Sequence, residues 1–408
     1  MTTAFENLLY IYGDAICGRK TILPENCDRE AIAKKAIEQN ILPLIYFNLF
    51  GEETNNRYYA LVMQSLANNE RRMFFLGKLS KELNEAGIEH CVLKGSSLAT
   101  LYPMPELRIS GDVDILINPS DEKKVMKFME DRNFVVADRE EIAQNFTAKH
   151  PKAGLFEIHV KLFDSEFDKY VLKGKFKVKE PFDTMKTPDG TSLNILGKND
   201  GLYFAASHMI KHFVKDGLGL RQISDWLLYV EKYRKETDMD GFNSVIEELE
   251  FKKFMNAIYT IGNKYFKMNF ECEEENPEDI LSDMDDGGSF GHNDTDRKKY
   301  KVKLLHGLYG KSERERRKGV LKTLWRIAFP SKRTLIQKGF LKENSTAFMV
   351  PVGWIKRWMD VLLRGKLKKI GSVTGTADVN DEKLEKRREI LGDYNFYKNK
   401  RKENEKDV

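Results

Sequence analysis

The segment Asp112–Ile117, with the sequence DVDILI, most constrains what this chain can fold into. Its run of apolar and β-branched residues predicts a β-strand. Residues two apart on a strand point to the same face, so Asp112 and Asp114 project side by side while Val113 and Ile115 face the core. Two adjacent carboxylates repel each other unless a cation lies between them, so the pattern predicts a site for Mg²⁺.

A glycine-serine turn precedes this strand in the sequence. A short apolar strand, Ile88–Leu93, is followed by Lys94, Gly95 and Ser96. Such a turn can present backbone N–H groups and a hydroxyl to a phosphate. A phosphate-binding turn beside two acids indicates chemistry on the phosphates of a nucleotide. The alternative is an exposed strand face that binds no ligand.

A third acid lies on a later strand candidate, Leu155–Val160, with the sequence LFEIHV. Glu157 and His159 share one face of that strand. If the strand pairs beside Asp112–Ile117, Glu157 completes a site for two metal ions. The alternative is again an exposed polar face.

Three basic residues are candidates for binding the nucleotide. Arg108 lies four residues before Asp112, where it can contact phosphate, orient the carboxylates by a forked hydrogen bond, or form a structural ion pair. Lys94 ends the first strand and either reaches the phosphates or stays solvated. Lys211 shares a helix face with His208, and this face either lines the nucleotide cleft or is an ordinary polar surface.

The order of these patterns predicts an α+β fold, in which a small mixed sheet is flanked by helices. Residues 1–85 are predicted to be helical, 86–195 to form the mixed-sheet core, and 196–371 to form a helical domain. Residues 271–296 contain 11 acidic and no basic residues and are predicted to be an exposed loop. Residues 372–408 mix both charges densely and are predicted to be a mobile tail.

Charge is distributed unevenly along the chain. The formal net charge is +5, yet residues 297–371 hold 22 basic and 4 acidic residues, a net charge of +18. Within this region, 352–370 is amphipathic at helical spacing. It either lies on an anionic membrane surface or packs its apolar stripe on the helical domain, and nucleic-acid binding is less favoured. The stripe consists of Trp354, Ile355, Trp358, Met359 and Leu362.

Composition excludes several other classes of protein. With 41% hydrophobic residues the chain can bury a substantial core, so global disorder is not expected. Four cysteines provide neither a disulfide framework nor a zinc knuckle. No apolar run reaches about 18 residues, and the N-terminus does not have the pattern of a signal peptide. A cytoplasmic protein is therefore expected.

The motifs together resemble a known family. Gly-Ser, a spacer, Asp-x-Asp on a strand and a later strand acid resemble the polymerase-β-like nucleotidyltransferase superfamily. The string VLKGSSLATLYPMPELRISGDVDILI, followed by FEIHV, is similar to the bacterial family called uncharacterised nucleotidyltransferases. The resemblance extends over about 85–380 and includes the strings SHMIKH, RQISDW and GGSFG and an FP…VP.GWI.R segment near the C-terminus. One departure is the 15-residue spacer between Ser96 and Asp112, which is long for the superfamily.

The resemblance implies a reaction and a set of roles. The enzyme would use Mg²⁺, or Mn²⁺, to transfer NMP from an NTP such as ATP to an acceptor hydroxyl, releasing pyrophosphate. Asp112 and Asp114 would hold two metal ions, one of them shared with Glu157. Gly95 and Ser96 would grip the β and γ phosphates.

The acceptor is left open by the sequence. It is a small molecule, a protein or RNA, and the last two would suit a nucleotidyltransferase toxin. A hypothesis from another class is a non-catalytic nucleotide-binding or scaffold protein, docked at the membrane surface through 352–370.

Overall fold

The computed structural model of the protein describes most of the chain. It confirms an α+β fold built from a mixed sheet and many helices. The described residues are 1–23, 26–137, 144–177, 180–187, 190–287, 325, 328–342, 345–363 and 381–396.

Seven strands of the described chain form one sheet in the order β3-β4-β5-β2-β1-β7-β6. The pairs β2–β5 and β1–β7 are parallel, and the other neighbours are antiparallel. The strands are β1 His90–Val92, β2 Asp112–Ile117, β3 Val135–Val136, β4 Asn145–His150, β5 Gly154–His159, β6 Asp183–Lys186 and β7 Ser192–Ile195.

Helices precede, interrupt and follow the sheet. Asp28 caps α2, because its Oδ1 accepts the Ala31 N–H at 2.9 Å. The described helices are α1 Thr3–Ile16, α2 Arg29–Glu38, α3 Leu42–Phe50, α4 Arg57–Glu85, α5 Lys94–Ala99, α6 Glu122–Glu130, α7 Ser165–Phe167, α8 Lys198–Lys215, α9 Leu220–Tyr233, α10 Met239–Glu248, α11 Lys252–Phe266, α12 Glu278–Gly287, α13 Lys332–Gln337, α14 Val350–Leu363 and α15 Asp381–Asp393.

The two faces of the sheet differ in polarity. Val113, Ile115, Phe156 and Ile158 are buried against α4 and α6 on one face. Because side chains alternate along a strand, their neighbours project to the opposite face, which α8 adjoins through a small apolar cluster at Phe204. A slip of one residue would carry the apolar set to the polar face, so burial fixes the strand register.

A second, larger core joins helices from both ends of the chain. Residues of α1 to α3 pack with residues of α8 to α12 around the fully buried Trp226. At Gly13 a Cβ would lie 2.6 Å from the Phe266 Cα, so only glycine lets α1 approach the α11 backbone this closely. The helices before the sheet and those after it therefore share one apolar core.

The acidic segment differs from the exposed loop that its composition predicted. Residues Glu278–Gly287 form α12, and Ile280, Leu281 and Met284 are buried in the helical core. Asp285 is buried as well, and its carboxylate lies 2.7 Å from the Lys35 Nζ. The prediction is wrong here because dense acidic residues concealed a short apolar stripe. Residues 288–296 lie outside the described residues.

The C-terminal tail also differs from its prediction over part of its length. Residues 381–396 include α15, whose Ile390 and Leu391 enter the helical core together with Tyr394 and Phe396. The prediction of a mobile tail overlooked these few apolar residues among many charges. Residues 372–380 and 397–408 lie outside the described residues, as does most of the basic region 297–371. None of the described helices is long and apolar enough to cross a lipid bilayer.

Candidate active site

Strand pairing brings the predicted acids to one face of the sheet. In the parallel pair β2–β5, Asp114 is directly opposite Glu157. Neighbouring strands lie about 4.8 Å apart, so these two carboxyl groups are close neighbours. Asp112 projects from the same face of β2, two residues earlier. The pairing that the sequence required for a three-acid site is therefore present.

Asp114 is the most buried of the three acids. Its Oδ1 lies 2.8 Å from the His159 Nε2 and 3.1 Å from the Lys94 Nζ. Burial alone would raise its pKa, but the Lys94 ammonium and the hydrogen bonds from His159 and Lys94 lower the pKa to about 2. Asp114 is therefore ionised at neutral pH, and His159 donates its Nε2–H to it.

The second carboxylate oxygen of Asp114 makes no such hydrogen bond. Oδ2 is buried and has no hydrogen-bond partner among the described residues, and the same holds for the His159 Nδ1. Leaving a buried polar atom unpaired costs about 1–3 kcal/mol. Asp114, Glu157 and His159 each offer a ligand atom, all within 4.8 Å of one another. An unpartnered carboxylate oxygen beside a second carboxylate fits a divalent cation.

Glu157 is half-buried at the edge of this cluster. Its Oε2 accepts a hydrogen bond from the Asn145 Nδ2 at 2.9 Å and lies 3.8 Å from the His159 Nε2. Burial and the neighbouring Asp114 raise the pKa of Glu157, while Lys94 opposes this shift. A bound cation would favour the ionised form of this carboxyl group.

The glycine-serine turn lies against the loop that enters β2. Gly95 adopts a φ of +31°, and a Cβ at this position would lie 2.9 Å from the Ser110 Oγ. Only glycine therefore allows this approach. Ser96 is buried, and the Ser97 Oγ donates to the Lys94 carbonyl at 3.1 Å. Lys94 is paired with Asp114, so it is not the solvated residue of the alternative interpretation.

Arg108 lies elsewhere and does not contact the acid cluster. Its guanidinium makes a forked contact with Asp225, with Nε–Oδ1 at 3.0 Å and Nη2–Oδ2 at 2.5 Å. The Tyr102 hydroxyl donates to the same carboxylate at 2.7 Å. Of the roles predicted for Arg108, the structural ion pair is the one observed. The sequence provided no signal for it, because Arg108 and Asp225 are 117 residues apart.

Helix α8 places a basic face beside the acids. Burial, together with Lys215 and Lys94, lowers the pKa of Lys211 to about 8, against the opposing charges of Asp164 and Glu157. The pKa of Lys211 thus responds to the charges of Lys94 and Glu157. Burial and the adjacent His212 hold the pKa of His208 well below its usual value, so His208 is neutral at pH 7.

A cavity of ≈320 Å³ adjoins the cluster at Lys94. It follows one side of α5 and extends toward the aromatic side chains of Phe204, Tyr229 and Tyr233. The sheet order places it across β1 and β7, on the side of β2 away from Glu157. The cavity has the size of a small-molecule site.

Two residues of the cluster were missing from the predicted site. His159 orients Asp114, and the spacing of His159 two residues after Glu157 on a strand was the available signal. Asn145 contacts Glu157 from β4, whose sequence NFTAKH gave no strand prediction.

The sheet, with acids on adjacent parallel strands beside a glycine-serine turn, defines the class of nucleotidyltransferases. Residues 25–267 match the model of the family described as uncharacterised nucleotidyltransferase, and the chain belongs to this family. The resemblance found in the sequence is thus confirmed, and the protein is a nucleotidyltransferase.

Solved structures of low similarity were also found. One is the lincosamide antibiotic adenylyltransferase LnuA, lincomycin-bound, which is 15% identical with a TM-score of 0.27 over 39% of this chain and 95% of that chain. Another is an antigenic nucleotidyltransferase-like protein from Paracoccidioides brasiliensis, 13% identical with a TM-score of 0.30 over 50% of this chain and 95% of that chain. No curated protein matches the chain.

Proposed function

We propose that the protein transfers NMP from an NTP to an acceptor hydroxyl in a reaction that depends on Mg²⁺. The observation that carries this proposal is the buried, unpartnered Oδ2 of Asp114 directly across from Glu157. Together with the half-buried Asp112, these carboxylates are the residues that would hold the metal ions. Mg²⁺ or Mn²⁺, when bound, would neutralise the triphosphate and polarise the reacting oxygen atoms.

The residues around the acids have distinct roles in this proposal. His159 holds the Asp114 carboxylate in one orientation through its Nε2–H. The Gly95–Ser96 turn and Lys211 bind phosphate oxygens, and phosphate charge would offset the burial and the cationic neighbours that lower the pKa of Lys211. Lys94 is a compact charge on a flexible stem, so it could leave the Asp114 Oδ1 and contact phosphate once a cation at Asp114 neutralised the carboxylate.

The reaction balances as an in-line displacement. The acceptor oxygen forms a bond to the α-phosphorus as the bond between that phosphorus and the bridging oxygen breaks. Pyrophosphate leaves with the electron pair, and the proton leaves the acceptor hydroxyl. In its ionised form beside a bound cation, Glu157 would accept this proton.

The cavity beside Lys94 is the proposed nucleoside site. The acceptor must approach from the Glu157 side, whereas the cavity lies on the other side of β2. Its tyrosines, Tyr229 and Tyr233, have ring centroids 4.9 Å apart and offer aromatic surface to a base.

Labelled nucleotides test this function directly. Cell extract is incubated with the protein, Mg²⁺ or Mn²⁺, and NTPs labelled at either the α or the γ phosphate. The proposal predicts an acceptor labelled from the α phosphate alone, with labelling lost in Asp112→Asn and kept in the exposed control Asp240→Asn. Label arriving from the γ phosphate, or undiminished labelling by Asp112→Asn, contradicts it.

The same experiment separates the remaining alternatives. Fractionation assigns the label to a small molecule, a protein or RNA, and the last two outcomes favour a toxin-type activity. Nucleotide binding without any transfer favours a non-catalytic nucleotide-binding or scaffold protein.

A further inference from the structure

Helix α14 and the turn before it expose a stripe of large apolar side chains. Phe348 is 94% exposed, Val352 38%, Ile355 60% and Met359 54%. Their spacing of four, three and four residues places them along one side of the helix. Single exposed apolar residues are common, but a continuous stripe of this kind indicates a surface that meets another apolar phase.

The other side of α14 is fixed to the protein. The Trp354 Nε1–H donates to the Pro330 carbonyl at 2.8 Å, and the Trp358 Nε1–H donates to the Ala328 carbonyl at 3.0 Å. A Cβ at Gly353 would lie 2.8 Å from side-chain carbons of Leu335 and Leu341, so the helix packs closely there.

This packing divides the stripe that the sequence predicted. The two tryptophans pack inward, which agrees in part with the interpretation that the stripe packs on the protein. Ile355 and Met359 instead point outward. The side chain of Leu362 and residues 364–370 lie outside the described residues.

Positive charge borders the exposed stripe. Lys356 is exposed beside Ile355, and Arg357 follows it. Burial and the nearby Arg357 lower the pKa of Lys338, so two cations of this region repel each other. The surrounding segment 297–371 has a net charge of +18. An apolar stripe bordered by cations is complementary to a surface that combines acyl chains with negative headgroups.

We propose that α14 docks the enzyme on an anionic lipid surface, with its stripe of Phe348, Val352, Ile355 and Met359 in the interface. The contact is peripheral, because a 14-residue helix spans about 21 Å and the opposite side of α14 is fixed to the protein. Nucleic acid suits this face less well, since three of its four side chains are aliphatic and cannot stack on bases.

Vesicle co-sedimentation of the full chain tests the proposal. The vesicles contain either phosphatidylcholine alone or phosphatidylcholine with phosphatidylglycerol. We expect sedimentation with the anionic vesicles only, weakened about tenfold or more in Ile355→Ser/Met359→Ser. The matched control is Leu61→Ser/Met63→Ser, which alters two side chains exposed to 45% and 43% on α4 and should bind as the wild type does.

Further measurements keep the outcome unambiguous. Lys356→Gln removes one exposed charge and should also weaken anionic binding, by about fivefold. Unchanged melting curves confirm that the variants fold, and nucleotidyl transfer without vesicles should be the same in all of them. Equal sedimentation of the wild type and Ile355→Ser/Met359→Ser overturns the proposal. So does a wild type that dimerises or binds oligonucleotide through this face but ignores vesicles.

Discussion

Two buried carboxylates, Asp114 and Asp225, are bound by cations in different ways. Asp225 uses both oxygens, which accept the forked guanidinium of Arg108 and the Tyr102 hydroxyl. Asp114 receives both Lys94 and His159 on Oδ1 and leaves Oδ2 bare. Both side chains are almost completely inaccessible to solvent.

The difference separates a structural ion pair from the proposed metal site. A buried charge is stable only when its oxygens are satisfied, and the Arg108 fork satisfies Asp225 within the protein. The lysine at Asp114 is a point charge on one oxygen, so the carboxylate retains the capacity to bind a cation. An unpaired oxygen on a buried carboxylate therefore indicates a ligand-binding site better than burial alone does.

The largest effect is expected at Asp112. Asp112→Asn should lower nucleotidyl transfer by roughly 10²-fold or more, because it removes a carboxylate that stabilises transition-state charge. The melting temperature should change little, since its contact with the Ser110 Oγ is long, at 3.4 Å. Steady-state kinetics and thermal melting measure the two effects. A large fall in melting temperature would instead indicate that Asp112 has a structural role.

The opposite pattern is expected at Asp225. Asp225→Asn leaves Arg108 buried without its charge partner, so the free energy of unfolding should fall by about 3–5 kcal/mol. Transfer per folded molecule should stay near the wild-type value. Urea denaturation and activity measured well below the melting temperature check this prediction. Loss of nucleotidyl transfer with no change in the free energy of unfolding would instead indicate that Arg108 acts in the nucleotide cleft.

Lys211 should give the site a pH dependence. Its pKa in the folded protein is about 8, so NTP affinity should fall by nearly tenfold per pH unit above that value, as the ammonium is lost. Lys211→Met should bind more weakly and lack this step. Calorimetric titration over a pH series measures the NTP affinity of the wild type and of the variant. If the affinity of Lys211→Met still falls above pH 8, a group other than Lys211 causes the pH dependence.

The same shift predicts the sign of a stability change. The folded pKa lies below the usual 10.5, so the unfolded chain binds more protons between these two values. The free energy of unfolding should therefore rise with pH across this window, and the rise should be smaller in Lys211→Met.

The smallest effect is expected in the cavity. Tyr233→Ala should raise the KM for NTP by about tenfold through lost stacking on the base, whereas Tyr233→Phe keeps the ring and should not. Affinity for inorganic tripolyphosphate should be the same in both variants. A change in the acceptor KM alone would assign the cavity to the acceptor.

Much of the sheet and its acids could be predicted from local patterns. The alternation in Asp112–Ile117 predicted which side chains face the core, and Val113 and Ile115 are buried there. Pairing with the strand of Glu157 was a hypothesis that the register confirms, and the structure shows that the pairing is parallel. These features depend on a period of two residues and on one pairing, both of which a single sequence can suggest.

Features that depend on distant partners or sparse apolar residues could not be predicted. The partner of Arg108 comes from α9, far along the chain, and no local pattern indicates it. Helices α12 and α15 each bury only a few apolar residues among many charges, so composition suggested exposure. His159 was visible as a neighbour of Glu157, but its hydrogen bond to Asp114 depends on the tertiary register.

The position of a bound metal ion decides whether Asp114 is a metal ligand. Crystals grown with Mn²⁺ and a non-hydrolysable NTP analogue would locate the ion by its anomalous scattering. With Asp114 as a metal ligand, Mn²⁺ should lie about 2.1 Å from the Asp114 Oδ2, with Asp112 in the same coordination sphere and the Asp225–Arg108 pair unchanged. Nucleotide bound with no ion at Asp114, and with Lys94 still paired to its Oδ1, would contradict it.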